Sequence, residues 1–338
     1  MGDIRTFVEG LPKAELHLHL EGTLEPELKF ALSDRNGIDI PYATVAEIKA
    51  SYVFNDLTSF LVGYYDGMSV LVREQDFYDL AMAYFRTAHD QSIVYAEPFF
   101  DPQAHTSRGV PFEAVVTGIH RAQEDAASQL GVRTNLIMCF LRDMPAESAM
   151  ETLDASLPFR DWIIGVGLDS DERDNPPAKF AAVFARAREA GYRLTMHCDV
   201  NQQDSVAHIW QAIDDIGVAR IDHGVNSLED DRLVATIKER GIPLTVCPIS
   251  NRLVADSLTV DEIRTMLDND MLVTINSDDP AYMQGYLNEN LVELATVGGF
   301  DVEQLATLAR NSFLATWLPA EEKARYVAMV DDYVAGAD

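Results

Sequence analysis

Basic residues are scarce in this chain of 338 residues: 26 Lys and Arg stand against 55 Asp and Glu, a formal net charge of -29. A surface of that sign repels nucleic-acid phosphates and anionic lipid. It excludes a protein that tracks a DNA or RNA backbone, while a free base or nucleoside, which carries no phosphate, stays admissible. Cysteine is scarce too. Cys139, Cys198 and Cys247 each lie in an apolar stretch, and so sparse and odd a set is no disulfide framework but fits a reducing cytoplasm. No apolar run approaches the roughly 20 residues of a membrane span, and the N-terminal stretch with Asp3 and Glu9 has no signal-peptide core. A cytoplasmic protein without a membrane or nucleic-acid partner is expected. With 47% hydrophobic and 24% charged residues, the chain has the composition of a folded globular protein.

Low-complexity linkers and short repeats are also lacking, so a single domain over residues 1–338 is expected. What recurs is a short apolar run followed by a polar, helix-like stretch. The runs occupy 14–20, 93–99, 136–141, 163–168, 193–197, 220–223, 243–247 and 272–276. Eight strands alternating with helices predict parallel βαβ units, and eight such units can close into a (β/α)8 TIM barrel, the fold expected here. An open doubly wound sheet would need a Gly-rich phosphate turn after the first strand, and none is present. The longest interval, approximately 22–90, holds helix-like stretches at 25–36, 45–52 and 74–88. It is expected to form a helical insertion after strand one that caps the barrel mouth.

His17, His19, His197, His223, Asp278 and Asp279 all fall at or just beyond the C-terminal end of a predicted strand. That end of a TIM barrel is where active sites are built, and a buried charge there is costly unless paired or bound to metal. His17 and His19 are two apart and so share one face of a strand. With His197 and Asp278 they make three imidazoles and a carboxylate, a set that suits one zinc ion per chain and leaves a position for water, whose pKa zinc lowers to about 7. His223, within Ile221-Asp222-His223-Gly224, reads as a base or electrostatic helper, with a further metal-site histidine or a structural residue as the alternatives. Asp279 is placed to accept a hydrogen bond from a ring nitrogen. His89, His105, His120 and His208 fall in predicted helices or polar loops and read as solvated or hydrogen-bonded residues, and Cys198 and Cys247 as core.

These segments resemble a known family. Leu11-Pro12-Lys13-Ala14-Glu15-Leu16-His17-Leu18-His19-Leu20-Glu21-Gly22 is similar to the first strand of the adenosine/adenine deaminases of the amidohydrolase superfamily. The likeness continues in order through Gly165–Ser170, Arg220–Gly224, Cys247–Asn251, Asn276–Tyr282 and Gly285–Asn290. The Pro-Ile-Ser-Asn and Gly-Tyr-x-Asn-Glu-Asn stretches look most like the bacterial adenine deaminase branch. The resemblance implies a zinc ion on His17, His19, His197 and Asp278. It also implies a His223 that orients and helps deprotonate water, an Asp279 that contacts the purine, and a Gly167 that presents its backbone to the ring. The implied reaction is deamination of adenine to hypoxanthine and ammonia. One departure stands out. Where the family reads His-Ala-Gly-Glu, this chain reads His197-Cys198-Asp199-Val200, so Val200 occupies the place of the Glu that protonates the ring. Asp199 is then the candidate replacement acid, with Glu21 a weaker stand-in. The altered segment leaves other substrates open: N6-substituted adenines, adenosine or another heteroaromatic amine. A purine-binding protein with impaired catalysis is the alternative of another class, and the sequence leaves a homo-oligomer open.

Overall fold

The computed structural model describes residues 4–198 and 200–337, a mixed α/β molecule built on parallel strands. The strands are β1 (Lys13–Glu15), β2 (Ile93–Ala96), β3 (Phe99–Phe100), β4 (Arg133–Thr134), β5 (Leu136–Leu141), β6 (Ile163–Asp169), β7 (Arg193–Cys198), β8 (Arg220–His223), β9 (Leu244–Val246) and β10 (Val273–Ile275). Seven of them form one curled sheet in the order β10-β9-β8-β7-β6-β5-β3, and β1-β2-β4 form a second. The pairings between strands are parallel, which is consistent with a TIM-type fold. Apolar runs such as Leu136–Leu141 are buried throughout, as strands covered on both faces must be.

The first two runs depart from continuous strands. Residues 93–99 divide into β2 and β3 around Glu97-Pro98, where proline brings no N–H to the ladder. The Pro98 carbonyl still accepts from Ile137 N at 3.0 Å, so the chain passes from one sheet to the other without losing contact. Residues 14–20 give the short β1 and then an extended stretch that joins both sheets. Leu18 bridges Asp278, and His19 bridges Phe99. Glu97, in the break, receives the Arg220 guanidinium of β8 at 2.6 Å with both side chains fully buried, and Arg220 lies 4.4 Å over the Trp317 ring. A buried charge pair of this kind holds position more than it adds stability. Here it fixes the strand that carries His223.

Between β1 and β2 lie the helices Pro26–Asn36, Val45–Ser51, Leu57–Gly67 and Glu74–Asp90. The sequence pointed to the first, second and fourth. The third starts at an Asp56–Ser59 capping box, in which Asp56 Oδ1 accepts from Ser59 N at 2.7 Å and the Asp56 N–H donates to Ser59 Oγ at 3.2 Å. Its apolar residues form no single stripe, because the adjacent Tyr64 and Tyr65 serve two neighbours, Asp101 and Ser170. Among the described residues no helix is long and apolar enough to cross a membrane.

Candidate active site

The ends of the strands gather the residues singled out in the sequence. Main-chain bonds from His19 N to Asp278 O and from Asp278 N to His17 O, each 3.0 Å, lock the extended His17–His19 stretch beside the segment after β10. His17, His19, His197 and His223 are all buried, and their rings crowd together: His17 lies 4.6 Å from both His197 and His223, and His19 lies 5.0 Å from His197, centroid to centroid. His17 Nε2 is 3.3 Å and His19 Nε2 3.4 Å from Asp278 Oδ1, while His223 Nε2 is 3.8 Å from Asp278 Oδ2. His19 Nε2 and His197 Nε2 are 3.1 Å apart.

Neighbouring groups set which nitrogen of each ring faces inward. His197 Nδ1 donates to the Leu168 carbonyl at 3.1 Å, and His17 Nδ1 donates to the Thr245 carbonyl at 3.0 Å. Both rings therefore turn their Nε2 lone pairs to the centre, the tautomer a metal ligand needs. Ser250 Oγ donates to Asp278 Oδ2 at 2.7 Å and fixes the carboxylate. Burial holds His197 well below the usual imidazole range and takes His19 and His223 down to about 4, so all three are neutral at pH 7. Burial disfavours charge on Asp278 and His17 alike, but each stabilises the other's charged form, keeping the carboxylate low and the His17 imidazole raised. Buried, inward-facing nitrogens beside one ionised carboxylate suit a divalent cation of the zinc type.

The ligand atoms of His17, His197, His223 and Asp278 all lie within 4.8 Å of one another, so a four-residue group includes His223. His19 shares a group with Asp278 and Asp279 and joins the others through its contacts with His197 and Asp278. His223 and Asp278 also carry left-handed backbone, with φ of 59° and 64°. Such conformations cost energy in a non-glycine residue and gather at functional sites.

A pocket opens beside this cluster. Its walls include His19, His197, His223, Asp278 and Asp279, the aromatic Phe60, Tyr64 and Tyr65, and Val200, which is itself buried. Gly167 lies in β6 outside the lining. A side chain there would meet Cys139 Sγ at 2.6 Å, while Asp169, two residues on, does line the pocket. Asp199 lies outside the described residues. Glu21 is engaged, its Oε1 accepting from Asp101 N at 3.0 Å and meeting His105 Nε2 at 2.9 Å, which makes His105 a buried, bonded residue. Asp101 and Asp169 are pocket residues that sequence reasoning missed. Asp169 directly follows the predicted run 163–168 and Asp101 lies two residues beyond 93–99, so the strand-end rule that found Asp278 could have found them. Burial drives both carboxyls up, Asp169 to about 7.

Gly22 shows how tightly Asp279 is held. A Cβ on Gly22 would stand 2.1 Å from Asp279 Oδ1 and 2.7 Å from its Cα. Gly22→Ala must therefore push Asp279 aside. If Asp279 contacts the purine as the resemblance implies, KM is expected to rise roughly 10-fold or more, since losing one good hydrogen bond to a charged group costs about that much. Steady-state kinetics beside metal analysis checks it.

The family model for adenosine deaminase matches residues 12–333. The chain belongs to the adenosine deaminase family. An adenine deaminase of Hahella chejuensis is 48% identical over 333 residues, covering 98% of this chain and 99% of that protein. An uncharacterized deaminase of Schizosaccharomyces pombe is 52% identical over the full length of both chains. Among solved structures, the adenine deaminase of Arthrobacter aurescens superposes with a TM-score of 0.93 at 44% identity, covering 96% of this chain and 99% of the other. A zinc-bound amidohydrolase from Burkholderia ambifaria gives 0.90 at 26% identity, over 100% and 96% of the two chains. The likeness to the family thus extends over nearly the whole chain, as the ordered motifs implied.

Proposed function

We propose that this family member is a zinc-dependent aminohydrolase that converts adenine and water to hypoxanthine and ammonia. The observation that carries the proposal is the convergence of four buried imidazoles and an ionised Asp278 on one side of an aromatic pocket. The relatives named adenine deaminase support the choice of base. His17, His19, His197 and Asp278 would hold the metal, one ion per chain. When bound, zinc supplies Lewis acidity that makes water a nucleophile at neutral pH. His223, neutral and at the same centre, takes a proton as the water oxygen bonds to C6. Asp279 contacts the ring, and the β6 segment with Gly167 backs it. Proton delivery to the ring nitrogen, and transfer of the proton on His223 to N6, then allow the C6–N6 bond to break; ammonia leaves, and the C6 hydroxyl returns a proton to the acid as the carbonyl forms. Asp199 is proposed as that acid from its place in the sequence.

The same proposal takes the two sheets as one closed (β/α)8 barrel in a single domain, 1–338. Its 22–90 insertion caps the mouth, and the bridges of Leu18 to Asp278 and His19 to Phe99 support closure. A cytoplasmic enzyme is in keeping with three buried free thiols. Val200 favours a second substrate class: with Leu57 and Leu61 it gives the pocket an apolar side, suited to N6-substituted adenines. Metal analysis coupled to release of ammonia from adenine and adenosine, and of methylamine from N6-methyladenine, tests these readings together. About one zinc per chain and a preference for adenine are expected. A preference for adenosine would move the chain to the nucleoside branch, and tight adenine binding without ammonia release would make it a binding protein.

A further inference from the structure

The pocket has an excess of hydrogen-bond acceptors. Asp101 Oδ1, both carboxyl oxygens of Asp169 and Asp279 Oδ1 are buried with no N–H donor of the described residues on them, and Asp101 and Asp169 lie close enough for one carboxyl to share a proton with the other. Asp101 is 1% exposed, and its other oxygen, Oδ2, accepts from Tyr64 OH at 3.3 Å. A buried carboxyl oxygen left without a donor is costly, so a ligand that fills this pocket gains by bringing an N–H group to it. Free adenine has two kinds. Its exocyclic amine departs from C6 and is directed to the histidine centre. The N–H of the five-membered ring is the other, and it needs a separate acceptor.

Three carboxyls besides Asp278 border the pocket. Asp169 Oδ2 lies 3.4 Å from His19 Nδ1 and so faces the ring of a proposed metal ligand. Asp279 is wedged against Gly22 and follows Asp278 directly in the chain. Asp101 remains. It is placed by β3 and by the Glu21 carboxylate, which receives its backbone N–H; one of its oxygens lies within 4.8 Å of a His19 ring nitrogen, but no hydrogen bond or ion pair joins it to the proposed metal-binding side chains. Resting on the adenine reading above, we infer that Asp101 selects the free base over the nucleoside by accepting the five-membered-ring N–H, which glycosylation removes. The family resemblance assigns no role to this position.

A matched pair of ligands isolates that one bond. In 4-aminopyrrolo[2,3-d]pyrimidine the N–H is present; in 4-aminofuro[2,3-d]pyrimidine oxygen replaces it with little change of shape. Binding of each to the zinc-loaded protein is measured by calorimetry. The wild type is expected to favour the pyrrolo compound by roughly 10- to 100-fold. In Asp101→Ala the ratio is expected to fall below about 3-fold, with the loss falling on the pyrrolo compound and zinc content unchanged. A wild-type ratio near unity overturns the inference whether or not the variant folds, and so does a large ratio that persists in the variant. Ammonia release from adenine by the wild type separates the two claims. Turnover with a flat ligand ratio removes Asp101 alone, whereas a large ratio without turnover removes the deaminase reading and leaves the N–H preference standing.

Discussion

His197→Ala is expected to strip the metal from the protein and to lower adenine turnover by about 10³ or more. His197 is held on two sides: Nδ1 donates to the Leu168 carbonyl at 3.1 Å, and Nε2 meets His19 Nε2 at 3.1 Å. Alanine removes one inward lone pair and also leaves the Leu168 carbonyl without that donor. Metal catalysis in such sites contributes several kcal/mol of transition-state stabilisation, which corresponds to about three orders of magnitude in rate. Two measurements check the expectation: metal per chain by atomic emission, and ammonia release with and without added zinc. The fold should survive, because strands β6, β7 and β8 remain paired through main-chain bonds that the substitution leaves alone. A variant that kept its metal and most of its turnover would show that His197 is a packing residue and that the centre lies elsewhere among the four rings.

The site was more legible in the sequence than the sheet around it. Short apolar runs ending in His or Asp marked His17, His197, His223 and Asp278 as strand-end residues, and all of them meet at one centre. Burial explains why that signal is strong: few other roles keep imidazoles at the ends of apolar strands. The pairing of His17 with His19 by face was also legible, yet periodicity could not say that His223 approaches Asp278 nearly as closely as they do. That proximity depends on left-handed backbone at His223 and Asp278, which no spacing rule for strands anticipates. Asp101 and Asp169 obeyed the strand-end rule, but carboxylates abound in a chain with 55 acidic residues, and two more drew no notice. The divided second run followed from Pro98, whose missing N–H could have been used to place the break. The helix Leu57–Gly67 was lost because its aromatic residues face both the pocket and the core, so its apolar pattern has no single stripe.

Asp199→Asn is expected to reduce turnover of adenine by about 10²–10⁴ while the metal stays bound, the range that general acid catalysis contributes. The expectation comes from what Val200 cannot do. Valine has no proton to give, and in this chain it is a buried wall of the pocket at the place where the family resemblance puts the acid. Some carboxyl must supply the ring nitrogen with a proton before C6 can accept the water oxygen and release ammonia. Glu21 is an unsuitable substitute, since it lies outside the pocket lining and its Oε1 already serves His105 and the Asp101 backbone. Asp169 is the rival, because burial raises it to about 7 and it lines the same pocket, but its Oδ2 also lies against His19. The two can be told apart by metal. Asp169→Asn should weaken zinc as well as turnover, since partners that orient a liganding histidine are worth roughly 10–100-fold in metal affinity. Asp199→Asn should leave zinc at the wild-type level. Normal turnover in Asp199→Asn, with loss of turnover in fully metal-loaded Asp169→Asn, would transfer the acid to Asp169.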